Sequence, residues 1–313
     1  MWIRVFSHVV HLVLRGVGMD SSGLAHSLVP FHGLSPVVKS LDATFVVIPS
    51  LQIFNLALSF PLLDDLRAIA QCDVRSSDGS DRLLTIAQPS SPPTFYGSLD
   101  LSIEGGLGTI ARGLLSLPGG IHFRKLTLRC TEVESSLATA LVEECSSTLE
   151  SLTITSYYIG IHSFDVCAHS DGLLPLLDGT NFAPINLSTA KRLEEVTFVC
   201  GGMDVAWVVA ALQSVTLNHR NLQQISVHPF PDPGRFYLYL ADMRRATAEG
   251  IDGQWFELDH LLAQLWESYS IRPNILYYHP PLGENGEGLR TWLVDLLPET
   301  MSRGIADLVR QSL

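Results

Sequence analysis

The sequence is poor in cysteine and in charge, and it has no long apolar run. Its five cysteines form no C-x-x-C pair, which argues against a disulfide framework and against a zinc knuckle. Charged residues make up 17% of the 313 positions and hydrophobic residues 46%, so the composition favours a large buried core over disorder. No stretch approaches the roughly 18 consecutive apolar residues of a membrane span. We therefore expect no membrane partner and a place in the cytoplasm or the nucleus.

Basic residues are scarce as well. Lysine and arginine together number 20 against 32 aspartate and glutamate residues, which gives a formal net charge of -12. A surface of this sign repels phosphate backbones. The densest basic cluster, Arg124, Lys125 and Arg129, falls on one predicted strand, where charged side chains usually form a solvated face. We expect no nucleic-acid partner.

One short pattern, apolar-x-x-apolar-x-apolar, recurs along the chain. Its six-residue windows begin at Val9, Val38, Leu63, Tyr96, Phe123, Leu149, Leu193 and Leu222. Successive first positions differ by 29, 25, 33, 27, 26, 44 and 29 residues, mostly within or just beyond the range of about 20–29 residues of leucine-rich repeats. Between windows the apolar period changes from 2 to about 3.6, as alternating strands and helices require. The predicted helices are Ser50–Ser59, Leu107–Leu115, Val133–Cys145 and Asp204–Val215.

These patterns predict an α/β fold, an irregular leucine-rich-repeat solenoid with an open, curved parallel sheet and helices on its convex side. The Asn or Cys that follows the strand in the usual repeat consensus is missing, so the turns must satisfy their backbone groups in another way. We place the array at residues 1–230, with inserts at 76–93 and 157–190. Residues 231–313 form a helical cap that belongs to the same domain.

The cap is predicted from three helical patterns and a short strand at Ile275–Tyr278. The helical patterns are Phe236–Ala246, Phe256–Tyr269 and Gly288–Leu308, the last of them interrupted at Pro298. A terminal unit of a repeat array needs a polar outer face. The acidic residues expected to supply this face are Glu257, Asp259, Glu267, Asp295 and Glu299.

Side chains alternate along a strand, so the residues at the fifth and seventh positions, counted from the start of each window, should point to the concave face of the sheet. We expect this face to bind a protein partner. The candidate protein-binding residues are Arg67, Asp100, Thr127, Arg129, Thr153, Thr155, Thr197, Ser226 and His228. The alternative for individual threonines is that a β-branched residue simply suits a pleated sheet.

Several blocks resemble those of a known family. They are Leu28–Ser40, Phe60–Leu66, Leu149–Tyr157, Leu187–Phe198, Phe198–Gln213, Leu222–Pro229 and Leu296–Val309. They are similar to blocks of the F-box-like leucine-rich-repeat proteins of basidiomycete fungi. The resemblance implies an interaction scaffold that recognises a protein, such as a substrate to be ubiquitinated. We expect no F-box helices, because Met1 begins directly at the first repeat, and association with a cullin ligase is therefore left open.

Other hypotheses depend on shorter signals. Gly106, Gly108 and Ala111 follow a predicted strand in the G-x-G-x-x-A form of the dinucleotide fingerprint, which leaves a nucleotide-binding oxidoreductase as an alternative. A truncated, non-functional family member is a third hypothesis. A loop with His162, Asp165, Cys167, His169 and Asp171 has ligand-type residues, although surface loops commonly have this composition. No nucleophile elbow, P-loop or H-E-x-x-H occurs, so we expect binding without catalysis, cofactor or metal.

Overall fold

The computed structural model describes residues 8–15, 37–44, 50–69, 93–102, 107–131, 134–156, 182–200, 205–229, 252–278, 291 and 293–311. The strands in these ranges are β1 (His11–Arg15), β2 (Ser40–Thr44), β3 (Asp65–Ile69), β4 (Ser98–Ser102), β5 (Lys125–Cys130), β6 (Ser151–Ser156), β7 (Glu195–Val199), β8 (Gln224–His228), β9 (Arg272–Tyr278) and β10 (Asp307–Gln311). The helices include α1 (Ser50–Leu58), α2 (Leu107–Leu115), α3 (Ser135–Cys145), α4 (Ala206–Gln213), α5 (Asp252–Tyr269) and α6 (Pro298–Ser302).

The chain divides into two compact units. Unit 1 comprises Met1–Cys130 and Ala140–Leu149, and unit 2 comprises Thr131–Thr139 and Glu150–Leu313. Each unit has its own set of parallel strands and its own apolar core.

In unit 1, strands β1 to β5 pair in parallel and in chain order. The fourth window positions from β2 to β5 align and are at most 1% exposed; they are Leu41, Leu66, Leu99 and Leu126. Helices α1 and α2 contact each other. A Cβ added to Gly113 of α2 would lie 2.5 to 2.9 Å from ring carbons of Phe54 in α1. Glycine therefore allows this close helix approach.

In unit 2, strands β6 to β10 also pair in parallel and in chain order. The buried residues Ile154, Phe198, Val227 and Ile275 align across β6 to β9. Trp207 of α4 packs on Phe182 and Phe198, with ring centroids 4.8 and 5.5 Å apart. Helix α5 contacts α4, α6 and β9, so the helices cover the apolar residues of this unit.

Neighbouring repeats are joined by a recurrent backbone contact just before each strand. The carbonyl of Val10, the second residue of its window, accepts from the N–H groups of Lys39 (2.8 Å) and Ser40 (3.2 Å). The same arrangement joins Lys39 with Asp64 and Asp65, Gly97 with Arg124 and Lys125, Glu150 with Glu194 and Glu195, and Glu194 with Gln223 and Gln224. The second carbonyl of a window thus satisfies two amides of the next one, without an asparagine ladder.

The structure confirms the α/β class and the parallel strands. Each of the repeat windows overlaps one of the strands β1 to β8, and α2 has the predicted bounds. Helix α3 begins at Ser135, two residues later than predicted.

The C-terminal region differs from the prediction. The helical pattern over Gly288–Leu308 is wrong at its end, because Asp307–Gln311 forms β10 and pairs with β9. Gly304, at φ +64°, follows α6. A left-handed glycine commonly ends a helix, and here it lets the chain turn into the strand. Parallel pairing therefore continues past residue 230, where we place the end of the array, into β9 and β10.

The prediction is also wrong for one acidic residue of the outer face of the cap. Asp259 is only 2% exposed, because its carboxylate meets the backbone donors at the start of α6. Glu257 and Asp295 are exposed as expected.

Candidate interaction surface

A row of side chains crosses the polar face of the sheet in unit 1. The register aligns the fifth window positions, which are Val13, Asp42, Arg67, Asp100 and Thr127. Together with Arg15 and Arg129, two residues further along β1 and β5, we call these residues the unit 1 polar row. Its members have the same parity as one another along their strands, opposite to the buried leucines, so they lie on the other face of the sheet.

Ion pairs connect the row across four strands. Arg15 Nη2 lies 3.5 Å from Asp42 Oδ2, and Arg67 Nη1 lies 3.8 Å from the same oxygen. Arg67 Nε lies 3.2 Å from Asp100 Oδ2. The Thr44 hydroxyl donates to Asp42 Oδ1. The two carboxylates therefore lie within ion-pair distance of Arg15 and Arg67 on this face.

The exposed charge of the row is positive. The side chains of Arg15 and Arg67 are 66% and 48% exposed, whereas those of Asp42 and Asp100 are 14% and 25% exposed. Burial raises the pKa of Asp100, while the charges of Arg129 and Arg67 oppose that increase. Asp100 Oδ1 is buried and accepts no hydrogen bond from the residues that the structure describes. A partner that approaches this face meets guanidinium groups first.

The predicted site residues of unit 2 form a second, different row. Thr153, Thr197 and Ser226 align across β6 to β8. Thr153 and Thr197 are partly exposed. Ser226, however, is 1% exposed, and the seventh-position residues Thr155 and His228 are 7% and 5% exposed.

The predicted exposure of Thr155, Ser226 and His228 is therefore wrong. Strand alternation gives the side of the sheet on which a residue lies, but not whether that side is open to solvent at that point. Burial also lowers the pKa of His228 to about 4, so the imidazole is neutral at pH 7. These three side chains are not accessible to a partner in this structure.

Sequence reasoning omitted residues that belong to these rows. Asp42 stands at the fifth position and Arg15 at the seventh, as the predicted site residues do, although neither is among the candidate binding residues. In unit 2 the row continues through Asn274 and Asp307, and Arg272 Nη2 donates to Asp307 Oδ1 at 2.7 Å. These residues were missed because β9 and β10 lie outside the repeat windows.

The oxidoreductase hypothesis depends on Gly106, Gly108 and Ala111. The described residues of this pattern do not support it. Gly106 lies outside the described residues. Gly108 stands in the first turn of α2, and the Arg112 guanidinium lies 3.1 to 3.5 Å from where a Cβ of Gly108 would be. Ala111 is fully buried. An arginine of the same helix therefore occupies the space beside Gly108.

The candidate ion-binding loop with His162 and Asp171 also lies outside the described residues. Within the ranges that the structure describes, no group of three His, Cys, Asp or Glu side chains could hold a metal ion.

Comparison with known proteins adds no identification. No family model and no curated protein matches this sequence. Among the helices that the structure describes, none is both long enough and apolar enough to cross a membrane.

Proposed function

We propose that this chain is an interaction protein that binds another protein through the polar face of its parallel strands. The unit 1 polar row carries the proposal, because it combines exposed arginines with carboxylates within ion-pair distance. Such an ordered set of charges gives a partner specificity and steering at little cost in ordering the side chains. The function is binding without catalysis.

The finer architecture that we propose is an irregular leucine-rich-repeat solenoid. Two observations support it: every repeat window overlaps a strand, and the second carbonyl of five windows accepts from two successive amides at the start of the next strand. A single repeat is too small to bury its own apolar face, so the stacking of repeats supplies the stability.

The resemblance of the quoted blocks to F-box-like leucine-rich-repeat proteins suggests a specific form of this function. The chain would recognise a substrate for ubiquitination, and a separate subunit would provide contact with the ligase. The oxidoreductase hypothesis and the hypothesis of a non-functional chain lack a supporting observation of this kind.

The test is affinity purification of the tagged chain from its native cells, read by quantitative mass spectrometry. Three baits are compared: the natural chain, Arg67→Glu on the polar row, and Arg112→Glu on α2. Arg112 is the matched control because it is exposed and belongs to the same unit, but lies on a helix. Circular dichroism and the thermal midpoint show whether each variant is folded.

We expect at least one protein that the natural chain and Arg112→Glu retain and that Arg67→Glu loses. Cullin-ligase subunits among such proteins would support the F-box-type form. A set of partners that is identical for all three baits, with all three folded, would refute binding through the polar row.

A further inference from the structure

The unit 1 polar row carries an arginine on every second strand. Arg15 lies on β1, Arg67 on β3 and Arg129 on β5, while Asp42 and Asp100 lie on the strands between them. Neighbouring strands are separated by about 4.8 Å, so successive arginines lie about 10 Å apart across the sheet. Arg67 is also offset from Arg15 and Arg129 by two residues, or about 7 Å, along the strand direction. The arginines of the row therefore recur at a regular distance across the sheet.

We propose that this row binds an acidic peptide segment that crosses the strands with one carboxylate over each arginine. The inference depends on the proposed function and names the class of partner. Charge complementarity supports it. The exposed groups are the guanidiniums of Arg15 and Arg67, and guanidiniums form bidentate hydrogen bonds with carboxylates, whereas the aspartates of the row are largely covered. Arg129 is partly exposed.

An extended peptide has the matching repeat. In a polyproline II conformation, every third residue returns to the same side after about 9 Å. A segment with an acidic residue at every third position would thus place its carboxylates about 9 Å apart. The long side chains of Arg15, Arg67 and Arg129 would reach them from either side of the segment. Its small or apolar intervening residues would lie over Asp42 and Asp100, and the exposed Val13 on the same face offers an apolar contact.

A nucleic acid fits this pattern less well. Each strand of a duplex carries one phosphate per about 3.4 Å of helix axis. This period does not match the spacing of the arginines, so some phosphates would lie over Asp42 and Asp100.

The experiment measures fluorescence anisotropy of labelled peptides with the full chain. The probe is a peptide of about six Glu-Pro-Ser repeats, long enough to cross the strands of unit 1. A peptide of the same composition with its glutamates in one block tests the spacing, and a single-stranded oligothymidylate tests nucleic acid. The variants are Arg67→Glu, Arg15→Glu and the helix control Arg112→Glu.

We expect the spaced peptide to bind the natural chain and Arg112→Glu with similar affinity, and each row variant about tenfold more weakly, because reversal of one charge replaces an attraction by a repulsion. The blocked peptide should bind more weakly than the spaced one. Added salt should weaken binding, since the row is exposed. Arg15 is 66% exposed, so Arg15→Glu remains informative even if Arg67→Glu does not fold.

Other results would overturn the inference. They are no binding of the spaced peptide, equal loss with Arg112→Glu, equal affinity for the blocked peptide, or tighter binding of the oligothymidylate. A cellular partner that Arg67→Glu loses, in the absence of peptide binding, would reject the acidic-peptide class and leave the proposed function intact.

Discussion

At the scale of single residues, the start of β4 shows why one glycine is required. Asp65 Oδ1 accepts from the backbone N–H of Ser98 at 2.8 Å and from its hydroxyl at 2.7 Å. A Cβ added to Gly97 would overlap that carboxylate and lie 3.0 Å from the carbonyl oxygen of Asp64. The Asp65 side chain thus occupies space that any other residue at position 97 would need.

Replacement of this glycine tests the packing. We expect Gly97→Ala to lower the free energy of unfolding by about 1–3 kcal/mol, because the backbone or Asp65 must shift. Gly119→Ala is the matched control, since nothing lies within 4 Å of the added Cβ. Urea unfolding of both variants measures the difference. Equal stability of the two variants would show that the strand start tolerates the methyl group.

His228 makes stability depend on pH. Its pKa is lowered by burial to about 4 in the folded protein, below the usual value of about 6.5 that applies to the unfolded chain. The unfolded state therefore binds more protons between these values, and stability rises with pH. The stability that depends on a neutral His228 is fully present above pH 6.5 and is lost as the pH falls towards 4. By linkage it is on the order of 3 kcal/mol.

Substitution of His228 should remove this dependence. We expect the unfolding free energy of His228→Gln to fall less than that of the natural chain between pH 6.5 and 4, as measured by urea unfolding at a series of pH values. His11→Gln, at an exposed strand position, controls for the loss of a histidine. Parallel pH profiles for all three proteins would refute the assignment.

At the scale of elements, hydroxyl groups near the helix ends are a recurrent device. Near the end of each of the helices α1 to α4, a serine or threonine hydroxyl donates to the carbonyl three residues earlier. The residues are Ser59, Ser116, Thr148 and Ser214. In unit 1, Thr148 Oγ1 also lies 3.1 Å from the carbonyl oxygen of Phe123, near the start of β5. This hydroxyl therefore joins a helix end to a neighbouring repeat.

Helix α6 is capped by a residue of another helix. Asp259 of α5 accepts from the N–H groups of Glu299 (2.6 Å) and Thr300 (2.9 Å) and from the Thr300 hydroxyl (2.7 Å). The residue at the N-cap position itself, Leu297, makes no side-chain cap. The carboxylate of Asp259 therefore replaces a local cap and fixes α6 against α5.

Loss of this cap should be costly. We expect Asp259→Ala to lower the unfolding free energy by about 2–4 kcal/mol, because buried donors lose their acceptor. Asp295→Ala, at an exposed position, should change it by less than about 0.5 kcal/mol. Thermal and denaturant unfolding measure both. Similar losses in the two variants would contradict the capping role.

At the scale of the whole molecule, the apolar cores of unit 1 and unit 2 each contain buried cysteines. Cys130 and Cys145 belong to unit 1 and Cys200 to unit 2, and each is at most 1% exposed. Burial also raises the pKa of the Cys145 thiol to about 12. Since the thiolate is the reactive form, these residues should resist modification while the protein is folded.

Thiol titration tests this protection. In a variant with Cys72→Ser and Cys167→Ser, we expect Cys130, Cys145 and Cys200 to be unreactive towards an aromatic disulfide reagent at pH 8. All three should react at once in guanidinium chloride. Rapid reaction of one thiol in the folded protein, identified by mass spectrometry, would show that the core around it opens.

The candidate site could be predicted from the sequence only in part. The sequence indicated Arg67, Asp100, Thr127 and Arg129 correctly as neighbours on one face, since each stands at the fifth or seventh position counted from the start of its window, which fixes its parity along the strand. It could not show that Arg67 pairs with both Asp42 and Asp100. Pair distances depend on side-chain geometry across strands that are far apart in the sequence.

The sequence by itself determined the strands β1 to β8, their parallel α/β arrangement and the buried positions, because a period of two and the repeat spacing are local properties of the chain. Only the tertiary structure decided that β9 and β10 extend the pairing, that Asp259 caps α6, and that Ser226 and His228 are buried. Each of these depends on contacts between segments distant in the sequence, and such contacts leave no periodic signal in it.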